Sequence, residues 1–333
     1  MEADEGSFIK ASNNTFQAVY ELWLEQYRNT VKESTLQKTM ELFNNHILPA
    51  FGNIKMEKIT VSFCQKKINE WFKFHSKYNV MKNYTSSVLK FAIRMDLIKN
   101  NPMDKITVPR KMAAVGQDDN LKYFNKEELQ QFFSCCKEDA TRSNNLLWIT
   151  LFRLLAFSGM RKGEALALTW KDLDFQNETV SINKTLARGL GNRLLIQTPK
   201  TATSKRAIVL DGITLSMLST WRKRQATDFL KLGFNTMYEE QLIFPNTKNE
   251  LMIPTKPDQK LDRIIQKNGL TRITVHGFRH THCSLLFEAG ASIKEVQDRL
   301  GHADIQTTMN IYAHVTEKAK EKTAEKFAKY VNF

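Results

Sequence analysis

Residues 276–314 read HGFRHTHCSLLFEAGASIKEVQDRLGHADIQTTMNIYAH. Apolar residues recur there at helical spacing in three short runs, which predicts helices over Phe278–Glu288, Ile293–Leu300 and Ile305–Tyr312. Leu285, Leu286, Val296 and Leu300 then belong to a core that positions the polar residues between them, His276, Arg279, His302 and Tyr312. Three groups that bind or move protons and phosphates, followed by a tyrosine, are a constellation for phosphoryl transfer.

Working outward, SGMRKGEALALTW (158–170) supplies Arg161 and TPKTATSKRAIVL (198–210) supplies Lys200. A helix is predicted near Asn145–Phe157 and another from about Arg161. Strand-like runs follow at Thr179–Asn183, Arg193–Gln197 and Arg206–Leu210, with Lys200 in the turn joining the last two. Helices resume at about Thr214–Lys231 and Asp258–Lys267. Asn125 with Glu128 forms a capping box for a helix over Lys126–Cys136, which opens this α+β domain.

Before it, residues 102–123 lose helical period and hold two prolines and a glycine, the composition of a linker. Four helices are predicted between Thr15 and Asn101, the second capped by Ser34 and the fourth stopped by Lys99-Asn100-Asn101-Pro102. The expected division is a tail over 1–13, an all-helical domain over 14–105, a linker over 106–122, a second domain over 123–315 and an amphipathic C-terminal helix over 316–333. The fold class is mainly α with a small antiparallel β-sheet.

The chain has 333 residues, 42% of them hydrophobic, enough for two ordinary cores. Lys and Arg number 49 against 35 Asp and Glu, a net charge of +14, which points to a polyanion as partner. Residues 14–110 hold 15 basic and 8 acidic residues and residues 111–333 hold 33 and 24, so both domains can face a phosphate backbone. Four cysteines without C-x-x-C spacing fit a reduced, cytoplasmic protein, and no apolar run approaches membrane-spanning length. No Walker-type loop is present, which leaves nucleotide-driven chemistry without support.

A phosphodiester resists nucleophiles until cations stabilise the charge that builds on its oxygens. Arg161 and Arg279 suit that task through their forked donors, and His302 adds a further donor. A tyrosine hydroxyl of pKa ~10 is about one part in a thousand ionised at neutral pH, so Tyr312 needs a proton acceptor, and His276 is the candidate. Lys200 is positioned to protonate the leaving oxygen. Glu164, three residues after Arg161, can hold that guanidinium. Lys82 and Lys90 in the helical domain, and Lys205 and Arg206 beside the turn, are candidate DNA contacts. His276 and His280 at i, i+4 also suggest zinc, but Gly-Phe-Arg lies between them in place of the Glu of H-E-x-x-H, and Arg279 would set a cation beside the metal; no metal or other cofactor is expected.

These words in this order resemble the tyrosine recombinase family, specifically integrases of temperate phages and conjugative transposons, over nearly the whole chain. The resemblance implies a core-DNA-binding helical domain and a catalytic domain clamped around duplex core attachment sites, with Lys200 as general acid. It implies a 3′-phosphotyrosine at Tyr312, a homo-tetramer on two sites, a C-terminal segment exchanged between protomers, and an excision factor as a further partner. Members often carry an additional arm-binding domain ahead of the core; only about 14 residues precede the helical domain here, so core-site cleavage is the activity expected. A type IB topoisomerase and a non-cutting DNA-binding regulator on the same scaffold are the alternatives.

Overall fold

The computed structural model describes residues 14–110, 122–138, 145–199 and 205–317. Contacts divide the chain into two units, Met1–Gln117 with Arg188–Arg193 and Asp118–Ala187 with Leu194–Phe333. No helix among the described residues is long and apolar enough to cross a membrane.

In the first unit α1 (Phe16–Tyr27) starts at Thr15, whose hydroxyl accepts the Ala18 N–H, and turns Phe16, Val19, Tyr20 and Trp23 inward. The helix α2 (Glu33–Leu42) begins one residue before Ser34, with Lys32 at its N-cap and no side-chain cap. Ser34 is a buried residue of the first turn and not the cap that its residue type suggested. The chain then widens into a π turn over Phe43–Ile47 and continues as α3 (Leu48–Phe51). Pro49 has no N–H to offer, and just ahead of it the Leu48 N–H reaches back to Phe43 O. The wide turn sends both Phe43 and Ile47 into the core, where Phe43 stacks on Tyr20 at 4.2 Å. Next come α4 (Val61–Phe74) and α5 (Tyr78–Arg94). α5 stops before the expected Asn-Pro signal because Asp96 takes a positive φ of 56°. Beyond it Asn101 bonds Ser86 Oγ and accepts from the Met103 N–H, Ile106 and Val108 pack on the core, and Tyr78 donates to Pro109 O.

The second unit opens with α6 (Lys126–Glu138), whose capping box is closed by Asn125 N–H to Glu128 and Glu128 N–H to Asn125, both at 2.8 Å. α7 (Asn145–Ser158) is apolar on most faces and runs through the core, with Phe152 packed among Phe132 and Phe278. Each such fully buried aromatic side chain contributes about 2–3 kcal/mol. A short α8 (Lys162–Ala165) precedes β1 (Leu173–Asp174), β2 (Thr179–Ile182), β3 (Thr185–Arg188), β4 (Leu194–Gln197) and β5 (Arg206–Val209). The single sheet expected is two: β1-β2-β5, antiparallel with Val180 opposite Ile208, and β3 paired with β4. The two strands flanking Lys200 therefore belong to different sheets. The long α9 (Gly212–Leu230) and α10 (Thr255–Asn268) follow. Last come α11 (Gly277–Glu288), α12 (Ile293–Leu300) and α13 (Ile305–Glu317), around a small core of Cys283, Phe287, Val296, Leu300 and Ile311.

Gly159 ends α7 at φ 67°, and a Cβ there would lie 2.5 Å from Leu300 Cδ2 and 2.6 Å from His282 Cδ2. Gly159→Ala combines left-handed strain with overpacking and is expected to destabilise the unit by about 2–4 kcal/mol. Urea unfolding measures this; a loss under about 1 kcal/mol would show that the turn has room to relax.

Candidate active site

Arg161 is the N-cap of α8, and the same short helix returns Glu164 to it. Glu164 Oε2 accepts the Arg161 backbone N–H and Oε1 accepts Arg161 Nη1, both at 2.9 Å. The remaining Nη2 makes a long 3.5 Å bond to Gly301 O, and 39% of the side chain stays exposed. Glu164 itself is buried. Burial works to raise its pKa, but the bonds and charge of Arg206, then those of Arg161, hold the carboxyl below the usual carboxylate range.

Arg279 projects from α11 and is 2% exposed. Its fork is pinned by main-chain oxygens, Nη1 to Gly159 O and Nη2 to Leu300 O, each at 2.8 Å. Burial first, then the charge of Arg161, push its pKa down to about 9, which leaves it charged at neutral pH. An internal cation with no full partner is costly and is a site prepared for an anion.

His276 caps α11 and sits edge-on to His280, ring centroids 4.8 Å apart. Burial, then His280, Arg279 and Arg161, pull its pKa down to about 4. His302, whose Nδ1 meets the buried Thr308 Oγ1 at 2.8 Å, falls to about 3 through burial and the same arginines. Neither histidine of this cluster titrates near neutrality without DNA, as His276 was expected to; an anionic phosphate among these cations works in the opposite direction. Tyr312, on α13, is 38% exposed with its ring edge-on to Phe287 at 5.0 Å.

Arg161, His276, Arg279 and His302 therefore share one electrostatic cluster, with Glu164 beneath it. Lys200 lies outside the described residues. Lys205 and Lys90 are exposed and Lys82 is half-buried. Arg206 is not a surface cation available to DNA: its side chain is 7% exposed and bonded to Glu164.

Two further groups brace the site. His282 Nδ1 donates to Ala156 O at 2.9 Å while its Nε2 accepts Arg299 Nε at 2.9 Å, which fixes the neutral tautomer. Arg299 Nη2 also reaches Phe157 O and Val209 O, tying the end of α12 to α7 and β5. Burial, then Arg299, lower the His282 pKa from 6.5 to about 4. Between those values the unfolded chain binds a proton that the folded chain refuses, so stability is lost as pH falls through that window, on the order of 3 kcal/mol for this group. Urea midpoints at about pH 7.5 and about pH 5 should diverge in the wild type and less so in His282→Gln; equal midpoints would contradict the assignment.

A helical unit, a mostly helical unit with small antiparallel sheets, and a site that sets the buried Arg279 near the half-exposed Arg161 suit an enzyme that transfers DNA phosphoryl groups. The profile described as "Phage integrase family" matches residues 122–319, and "Phage integrase, N-terminal SAM-like domain" matches residues 15–72. The chain belongs to the phage integrase family: it is a tyrosine-type site-specific recombinase of a mobile element, an enzyme that cleaves and rejoins DNA. The ICEBs1 integrase of Bacillus subtilis (strain 168) is 25% identical over 332 residues, spanning 98% of this chain and 86% of the relative. The integrase of Staphylococcus phage L54a is 28% identical, over 95% of this chain and 93% of its own. Among solved structures, the Tn1549 transposon integrase in complex with transposon right end DNA superposes with a TM-score of 0.74 at 22% identity, covering 94% of this chain and 99% of that one. The lambda integrase tetramer bound to a Holliday junction gives a TM-score of 0.62 at 14% identity, covering 89% and 77%.

Proposed function

We propose that Tyr312 is the nucleophile of this recombinase and that Arg161, Arg279 and His302 bind the scissile phosphate of a core attachment site. The observation that carries this reading is the cluster of Arg161, Arg279, His276 and His302 over one buried carboxylate, whose histidines are held neutral by burial first and then by the neighbouring positive charge. In the first step the Tyr312 phenolic oxygen attacks phosphorus and the bond to the 5′-oxygen breaks. The phenolic proton passes to His276, whose basicity rises once the phosphodiester is bound, and the 5′-oxygen takes a proton from Lys200. One phosphate ester replaces another, so a 5′-hydroxyl from a second duplex can reverse the step and exchange strands without an energy source.

The helical unit, Lys82 and Lys90 included, and Lys205 are the candidate DNA contacts. The solved Tn1549 and lambda complexes support duplex core sites as substrate and a homo-tetramer on two sites as the working assembly. An excision factor that favours the reverse direction, and action in the cytoplasm of a bacterial host, complete the reading.

The test is core-site DNA nicked just past the scissile phosphate, which releases the 5′ fragment and traps the covalent species. A denaturation-resistant protein–DNA adduct is expected, with the nucleotide remnant mapping by mass to the peptide that contains Tyr312. Bound DNA without an adduct, or an adduct on another peptide, rejects it.

A further inference from the structure

Glu164 poses an electrostatic problem. A carboxylate in contact with Arg161 would cancel the charge that Arg161 brings to the phosphate. The structure supplies the answer from β5: Arg206 Nη2 and Nη1 meet Glu164 Oε2 and Oε1 at 2.9 and 3.4 Å. Its Nε bonds Arg299 O at 2.9 Å, one residue before Leu300, whose carbonyl holds Arg279. The guanidinium also lies flat against Gly301: a Cβ there would meet Arg206 Cδ, Nη1 and Nε at 3.1–3.3 Å. Gly301 takes φ 66°, offers its carbonyl to Arg161 and is followed by His302.

We infer that Arg206 is a positioning residue for strand cleavage: it supplies the counter-charge to Glu164 that leaves Arg161 positive toward the phosphate, and it locks the turn that carries Leu300, Gly301 and His302. Glu164 is thereby an orienting group shared by two arginines. Arg161, Arg206 and Arg279 against Glu164 leave a net +2, which matches the doubly charged pentacoordinate phosphorus that a singly charged phosphodiester becomes under attack. The Arg206 side chain is 7% exposed while that of Arg161 is 39% exposed, so the two share one carboxylate with different duties, one inward and one outward. Arg206 is also the first residue of β5, so this lock joins that strand to α8 and to the end of α12.

This inference rests on the phosphate-binding reading proposed above. The experiment measures adduct formation on nicked core-site DNA, with DNA binding followed by mobility shift, for wild type, R206M, R206K and R206M/E164Q. If wild type forms no adduct, the proposed function itself fails. With an active wild type, R206M is expected to bind DNA within about threefold, since the side chain is buried, and to form the adduct about 100-fold more slowly. Removing the orphaned negative charge in R206M/E164Q should then recover at least about tenfold of that rate, because Arg161 is no longer neutralised. A merely structural role predicts the opposite, since the second substitution removes further hydrogen bonds. R206M cleaving at the wild-type rate, or a double variant as slow as R206M, overturns the inference. Should R206M fail to fold, R206K decides: it keeps the charge and is expected within about tenfold of wild type, and a folded, DNA-binding R206K slower by about 100-fold or more overturns the counter-charge role.

Discussion

Tyr312→Phe is expected to bind core-site DNA like the wild type and to lose strand cleavage entirely, by at least about 10⁴-fold in single-turnover rate. The substitution removes one oxygen and nothing else. The ring keeps its edge-on contact with Phe287, and the residue is 38% exposed. Stability should therefore move by less than about 0.5 kcal/mol, which separates a chemical defect from a folding one. Mobility shift, thermal melting and adduct formation on the same nicked substrate read the three quantities independently. Cleavage persisting in the Phe variant would place the nucleophile elsewhere in the chain.

Arg279→Lys carries the second large effect, and it divides between chemistry and stability. Both outer nitrogens of the fork are engaged at 2.8 Å, with Gly159 O at the end of α7 and Leu300 O at the end of α12. A lysine ammonium keeps the charge but cannot meet both carbonyls and a phosphate with planar geometry. One buried carbonyl left dry costs about 1–3 kcal/mol, read as a lower urea midpoint. The phosphate loses a positioned donor and the turn before His302 loses its anchor, so the cleavage rate should fall by about 10³-fold while DNA affinity changes little. A lysine variant cleaving within about tenfold of wild type would show that charge alone, without the fork, is what the site needs.

The order and type of the long elements were legible because their apolar residues keep helical period: α6, α7 and α9 to α12 lie close to where that period places them. What failed was local. Ser34 has the chemistry of an N-cap, yet the turn starts a residue earlier and tertiary packing buries the side chain. The π turn at Phe43–Ile47 leaves no trace in a period that it shifts by a single residue. Strand pairing was not legible, because a run of β-formers says which residues are extended and not which neighbour they meet; Arg206 pairs opposite Ile182. The burial of Arg206 did have a signal. In β5 it shares a face with Ile208, which is 1% exposed, and alternation alone would have turned it inward while Lys205 faced out. Arg299 had none, since its bond to His282 joins α12 to α11 through geometry that only the folded chain defines.

Besides the Glu164 carboxylate and the His282 ring, every arginine around this site has a main-chain carbonyl as partner: Gly159 and Leu300 for Arg279, Gly301 for Arg161, Arg299 for Arg206, and Phe157 and Val209 for Arg299. A carbonyl is supplied by every residue type, so the aim of the guanidiniums depends on the path of the backbone and is indifferent to most side chains along it. Sequence can then drift at Leu300, Phe157 or Val209, provided volume and polarity are kept, without disturbing the reactive geometry. Besides Glu164, the positions that cannot drift are Gly159 and Gly301, whose left-handed φ sets where the carbonyls point. Such an architecture lets a mobile element's enzyme diverge widely in sequence as it moves between hosts while its chemistry stays put.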